Sequence, residues 1–148
     1  MAASAWTIFD SAKHKMATSQ MPLSGGVFRI SLHKTSASAL LSNQGITIFT
    51  SLGDQCSGGG YVARTLSGVA WTAGASAAQQ KWDVSDPVIT ASASVLSAVR
   101  YAVVRLSNGS TVSGFLLAYA ALSTAEFNVT TGNTLTIQLA ATGVFTLT

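Results

Sequence analysis

Two histidines, one cysteine and five acidic residues are the chain's whole stock of imidazole, thiol and carboxyl groups in 148 residues. Neither His14 nor His33 lies in a His-Glu-x-x-His helix, or at a spacing to Cys or His that would suit zinc. His33 alternates with Ser31 on what reads as the polar side of a strand, so it is expected as a solvated or interface imidazole. Asp83 and Asp86 are the close carboxylate pair. Asp-x-x-Asp directly before Pro87 reads as turn chemistry, since Asp closes turns through its own side chain. A calcium ion needs six to eight oxygens, more than this segment offers, and a glycosidase pair is equally unsupported. Cys56 reads as an incidental loop thiol within Gly53-Asp54-Gln55-Cys56-Ser57-Gly58-Gly59-Gly60. A single cysteine forms no internal disulfide. The triple glycine lacks a trailing Gly-Lys-Ser/Thr and precedes a strand, so it reads as a flexible turn and not a phosphate loop. No catalytic, cofactor-binding or metal-ligating residue is assigned. An enzyme would have to assemble a site from Asp54, Asp83, Asp86, His14 and His33, which sit in unrelated segments.

The elements that would position these groups are mostly strands. Trp6 to Gln20 reads as a short helix, with Trp6, Phe9, Lys13 and Met16 at helical spacing and Pro22 and Gly25-Gly26 after it. In Val27 to His33 the residues Phe28, Ile30 and Leu32 alternate with Arg29, Ser31 and His33, the period of a half-buried strand. Ser36 to Leu41 fits a short helix or a loop. Ile46 to Thr50, Tyr61 to Trp71 and Trp82 to Thr90 read as strands, with a kink at Gly68 and an edge or bulge at Pro87. Val99 to Leu106 and Val112 to Leu122 flank Asn108-Gly109, a hairpin signal because both central turn residues need positive φ. Both runs are apolar on each face, as in a strand covered on both sides. Thr134 to Gln138 and Val144 to Leu147 close the chain. This pattern predicts a single domain over 1–148: a helical segment at 1–21, then an antiparallel β-sandwich or barrel of about seven to eight strands over 22–148.

Composition narrows the function class. Charged residues make up only 9% of the chain and hydrophobic ones 48%, against roughly 25% charged in an ordinary soluble domain. A free monomer needs surface charge to resist association, so this chain reads as a subunit of a large assembly. The net charge of +3 is small, and only Lys13-His14-Lys15 cluster, which argues against nucleic acid as a partner. No apolar run approaches the length of a membrane span. Met1 to Phe9 has no basic residue ahead of its apolar part, so no secretory signal is expected and the sequons at Asn108 and Asn128 carry no weight. The chain is expected to be made and kept in a cytoplasm.

Several segments together resemble a family of small virion structural proteins of tailed bacteriophages. Trp6-Thr7-Ile8-Phe9-Asp10-Ser11-Ala12-Lys13-His14-Lys15-Met16 resembles the family's opening helix, and Val27 to Lys34 its next strand. Gly59-Gly60-Tyr61-Val62-Ala63-Arg64-Thr65-Leu66 with Val69-Ala70-Trp71 resembles its Gly-Tyr-x-Arg-x-x-Leu strand. Trp82 followed by Tyr101-Ala102-Val103-Val104, and the terminal Thr134 to Leu147, resemble its later strands. The chain carries less charge than the family's helix and loops. The resemblance implies a non-enzymatic virion component, in its most specific form a capsid decoration or cement protein. Such a protein would bind the major capsid protein and its own copies, as a homotrimer, without cofactor. A tail, collar or baseplate component is the related alternative. A carbohydrate-binding module with Trp71 or Trp82 as stacking platform is the alternative of another class.

Trp6, Phe9, Arg100, Tyr101, Arg105 and Leu117 are the candidate interface residues. Tryptophan is enriched at interface hot spots, and Trp6 lies near a chain end. Arg100 and Arg105 have opposite strand parity, so one of them is expected to reach an interface or edge. The doubly apolar hairpin is expected to bury one face in the core and the other against a sister subunit.

Overall fold

A computed structural model describes residues 5–38, 41, 48–74, 76, 78–107, 114–139 and 143–147. In chain order these form β1 (Thr7–Ile8), α1 (Asp10–Ala17), β2 (Phe28–His33), β3 (Arg64–Thr65), β4 (Ala70–Ala73), β5 (Gln80–Asp83), β6 (Val88–Thr90) and β7 (Leu96–Val99). There follow β8 (Tyr101–Leu106), β9 (Phe115–Ala121), β10 (Phe127–Val129), β11 (Thr134–Thr136) and β12 (Phe145–Leu147), and two 3-10 turns lie at Thr35–Ala37 and Phe49–Ser51. The protein is mainly β and sandwich-like, with a short N-terminal helix. The larger sheet has the order β1-β9-β8-β2-β3 and the smaller β12-β5-β4, beside the pairs β10-β7 and β11-β6.

The N-terminal segment differs from the expected helix. Thr7 and Ile8 pair with Tyr119 and Ala118 as a strand, which suits two consecutive β-branched residues. Phe9 keeps extended backbone, and its N–H donates to Leu117 O at 3.1 Å. The helix therefore starts at Asp10, whose charge complements the N-terminus while His14 and Lys15 complement the last turn. It stops at Ala17, where Thr18 Oγ1 donates to His14 O at 3.0 Å and Ser19 turns left-handed. The helix lies on β9: Phe9 meets the Tyr119 ring at 5.2 Å, and Lys15 Nζ sits 3.9 Å from the centre of the Phe115 ring.

β2, β8 and β9 run side by side in the larger sheet. β2 and β8 pair without irregularity from Phe28↔Leu106 to His33↔Tyr101. β8 and β9 are the two arms of the expected hairpin; its Asn108-Gly109 turn lies outside the described residues. Their register shifts between Val104↔Ala118 and Arg105↔Leu116, so Leu117 is the extra residue of a bulge. Both faces of the hairpin are covered by the chain itself. One carries Leu106, Val104 and Ala102 into the core. The other lies beneath α1 and the segment from Phe49 to Tyr61. No second subunit is needed to cover either face.

Trp82 joins the two sheets. It is 0% exposed, stacks on Phe145 with ring centres 5.7 Å apart and meets Phe28 edge-on at 4.9 Å. Its indole N–H donates to Leu23 O at 3.0 Å, so burial leaves no polar atom unsatisfied there.

Two predicted strands are interrupted. Tyr61 to Trp71 divides into β3 and β4 around the left-handed Gly68, and Trp82 to Thr90 divides into β5 and β6 ahead of Pro87. In the predicted Ile46–Thr50 strand, Ile48 makes a lone bridge to Phe115 and Phe49–Ser51 is a 3-10 turn, while Ile46 and Thr47 lie outside the described residues. In the predicted Ser36–Leu41 stretch, Thr35–Ala37 is a 3-10 turn and residues 39–40 lie outside the described part. The triple glycine is a docked clasp and not a loose turn. All three residues have positive φ, and Gly59 O receives the backbone N–H groups of Ser92 and Ala93 at 2.8 and 3.2 Å. A Cβ at Gly59 would lie 2.8 Å from Ser94 O, so only glycine fits.

Candidate functional site

The chain's densest polar cluster lies inside the fold. Because β2 and β8 pair in regular register, Arg29, Ser31 and His33 share one face with Arg105, Val103 and Tyr101. That face was expected to meet solvent. Ser31, His33 and Arg105 are each 0% exposed, because the segment from Phe49 to Cys56 closes over them. The segment is tied to β2 by backbone: Lys34 N donates to Asp54 O at 3.1 Å and Cys56 N to Leu32 O at 2.8 Å. Tyr61 OH accepts the Leu32 N–H at 2.7 Å.

The His33 ring is held at both nitrogens. Nδ1 lies 2.9 Å from Gly53 O, which can only accept, so Nδ1 carries the proton. Nε2 is then the acceptor for the Ser31 hydroxyl at 3.0 Å. Phe49 meets the imidazole edge-on at 5.7 Å, and the Arg105 guanidinium lies over the same Phe49 ring at 3.6 Å. Burial, with the positive field of Arg105, pushes the His33 pKa down to about 4, against the opposing pull of the Gly53 carbonyl. Burial likewise raises the Tyr61 phenol to about 12.

Hydroxyl to imidazole is the opening of a nucleophile–base pair. Here the second ring nitrogen is held by a backbone carbonyl rather than a carboxylate, and the pair is sealed from solvent. Two clefts among the described residues lie elsewhere: one is lined by Arg64 to Ser67, Ser85 to Val88 and Thr90, the other by Phe127 to Thr130 and Asn133 to Thr136. As placed, the Ser31–His33 pair locks the covering segment neutrally onto the sheet. Among the described residues no three His, Cys, Asp or Glu side chains gather as metal ligands, and no helix is long and apolar enough to cross a membrane.

The candidate interface residues divide into two groups. Trp6, Arg100 and Tyr101 are half-buried and reach the surface. Phe9, Arg105 and Leu117 are 0% exposed, so in this conformation they are core and not contact residues. Arg105 was missed as a core residue because its parity gives its face but not what covers that face. Arg100 is the arginine that reaches outward, where Nη1 donates to Thr35 Oγ1 at 3.2 Å. Beside it the Glu126 carboxylate accepts the Thr35 N–H at 2.7 Å, which holds its pKa below the usual range.

The remaining groups are scattered. His14 is exposed on α1. Asp83 accepts the Val84 N–H at 3.0 Å and pairs with Lys81 at 2.9 Å at the end of β5, while Asp86 accepts the N–H of the distant Leu139 at 2.9 Å, so the two carboxylates make strand-end and long-range contacts where turn closure was expected. Cys56 is not a loop-surface thiol: it is 3% exposed, and burial raises its pKa to about 11. Trp82, sealed in the core, offers no sugar platform. Trp71 is half-buried and packs edge-on against Phe145 at 5.7 Å. No family model, curated protein or solved structure matches this chain.

Proposed function

We propose that this chain is a non-enzymatic structural protein of a bacteriophage virion, a capsid decoration protein that bridges neighbouring major capsid subunits. The observation that carries the reading is where the charges go. Of eight basic residues only Lys13 and Arg64 are exposed, and of five acids Asp10, Asp54, Asp86 and Glu126. Several of these are occupied: Asp10 pairs with Lys13 at 2.7 Å, and Asp86 and Glu126 each accept a backbone N–H. Most exposed positions among the described residues are thus Ser, Thr, Ala or Gly, with isolated valines such as Val62, Val88 and Val95. Such a surface suits contact with protein better than life as a free monomer.

The mechanism is physical. Each copy binds the assembled shell and not its dissociated subunits, so occupancy stabilises the shell by mass action. Weak contacts repeated over a lattice and among neighbouring copies add up through multivalency. The sealed Ser31–His33 pair supports a structural role over catalysis, because its polar groups hold the chain together.

The test is immunogold electron microscopy of virions produced by a host carrying the gene, with antibody against this chain. Label distributed over heads is the expected result. Label confined to the neck or tail would move the protein to the collar or baseplate, and particles without label would overturn the virion reading.

A further inference from the structure

We infer that the outer edge of β4 is a pairing site for the β4 of a second copy, antiparallel about a twofold axis with Trp71 opposite Trp71. The inference concerns the free chain and does not rest on the virion reading.

Exposed strand edges are normally defended by charge, proline or a bulge, because their free N–H and C=O groups recruit other strands. β3, the outer strand of the larger sheet, carries Arg64, and β6 follows Pro87 directly. β4 has none of these devices. It is the outer strand of its sheet, and its register with β5 is unbroken from Ala70↔Asp83 to Ala73↔Gln80. Ala70, Thr72 and Ala73 are exposed. No charged residue or proline occurs between Leu66 and Gln80. Among the described residues no strand pairs with its other side.

The residues flanking that edge favour a second copy over an unrelated strand. On the core face, Trp71 opposes Trp82 and ends an aromatic run that passes through Phe145 and Trp82 to Phe28. A partner's Trp71 would extend that run as Trp82–Trp71–Trp71–Trp82 across the axis. On the outer face Ala70 opposes Asp83 and Thr72 opposes Lys81. With Trp71 facing Trp71, Ala70 faces the partner's Thr72. Each outer row then reads Asp83, Ala70, the partner's Thr72, the partner's Lys81. Every row has an acid at one end and a base at the other, about 14 Å apart at ordinary strand spacing, and no like charges meet. A twofold interface must be self-complementary, and this edge is. The result is a continuous six-stranded sheet. It differs from the ring contact of a trimer, and its small contact area predicts a weak pair.

The experiment is sedimentation equilibrium of the intact chain up to about 1 mM, a range suited to a small interface. Wild type is expected to approach twice the mass of one chain. The double variant Ala70→Lys/Thr72→Lys sets lysine against lysine in both outer rows and is expected to weaken pairing at least tenfold. The variant Ala70→Lys/Thr72→Glu, equally charged in number, sets base against acid across the axis and opposite charges beside Asp83 and Lys81, and is expected to pair at least as tightly as wild type. All the altered positions are exposed, and circular dichroism with thermal melting checks that each variant is folded. A wild-type monomer throughout would overturn the inference, as would any oligomer indifferent to the double-lysine change. Either result leaves the immunogold test of the virion reading unaffected.

Discussion

β2 and β4 treat polarity in opposite ways. β2 places Ser31 and His33 inward under a covering segment, where the Ser31 hydroxyl and both His33 ring nitrogens have specific partners. β4 turns an uncharged, nearly featureless strand outward. Ordinary domains bury the apolar strand and expose the polar one. The reversal suggests that β2 uses its buried Ser31–His33 pair to fix a unique internal fit. β4 is left plain so that its contacts come from outside.

Four measurements would break or sharpen that contrast. The largest effect belongs to the junction both strands depend on. Trp82→Ala removes a sealed side chain and leaves Leu23 O without its donor, and should cost about 3–5 kcal/mol in urea unfolding. A loss below about 1 kcal/mol would mean that the sheets are not joined there.

Next is the pH response of the β2 side. An unfolded histidine titrates near 6.5, whereas folded His33 titrates near about 4. Between those values the unfolded chain holds a proton that the folded chain lacks, so stability falls as pH falls through this window. The loss is full only below the folded pKa and approaches about 3 kcal/mol. Protonation would set His33 beside Arg105 with only Asp54 opposing it, since Tyr61 and Cys56 stay neutral. His33→Gln should flatten the stability profile between pH 4 and 6.5, the window set by those two pKa values. A variant profile as steep as wild type would place the acid sensitivity elsewhere.

Gly59→Ala comes third. With φ +64 and a Cβ 2.8 Å from Ser94 O, it should cost about 1–3 kcal/mol, read as a lower melting temperature. An unchanged melt would show that the glycine clasp is as loose as its composition suggests. The smallest effect is expected at β4. Thr72→Lys alone should shift folding stability by no more than about 0.5 kcal/mol, and a larger loss would show that this edge is packed within the chain.

Much of the fold was legible in the residues. Period-two alternation located β2, and Gly68 and Pro87 marked real breaks. The two-faced apolar runs of Val99–Leu106 and Val112–Leu122 correspond to adjacent central strands. The errors share a cause. Alternation says which residues share a face but not what covers it, so Ser31, His33 and Arg105 were assigned to water or a neighbour. The covering segment from Phe49 to Tyr61 has no regular structure that a periodic pattern could betray. Its anchors Phe49 and Tyr61 looked like strand residues. Thr7 and Ile8 fell within the predicted helix but pair as a strand with the edge of β9. β10, three residues long, left no pattern to read. The polar cluster itself was missed because burial was not visible. The nearest signal was the unusual Arg-x-Ser-x-His alternation within an otherwise apolar strand.

Cys56 lends the covering segment a practical use. The thiol sits within that segment, 3% exposed and with its pKa raised to about 11, so an alkylating reagent reacts only during transient opening. The rate of alkylation at a fixed pH therefore clocks how often the lid over Ser31 and His33 lifts, with a native atom as the reporter and no added label.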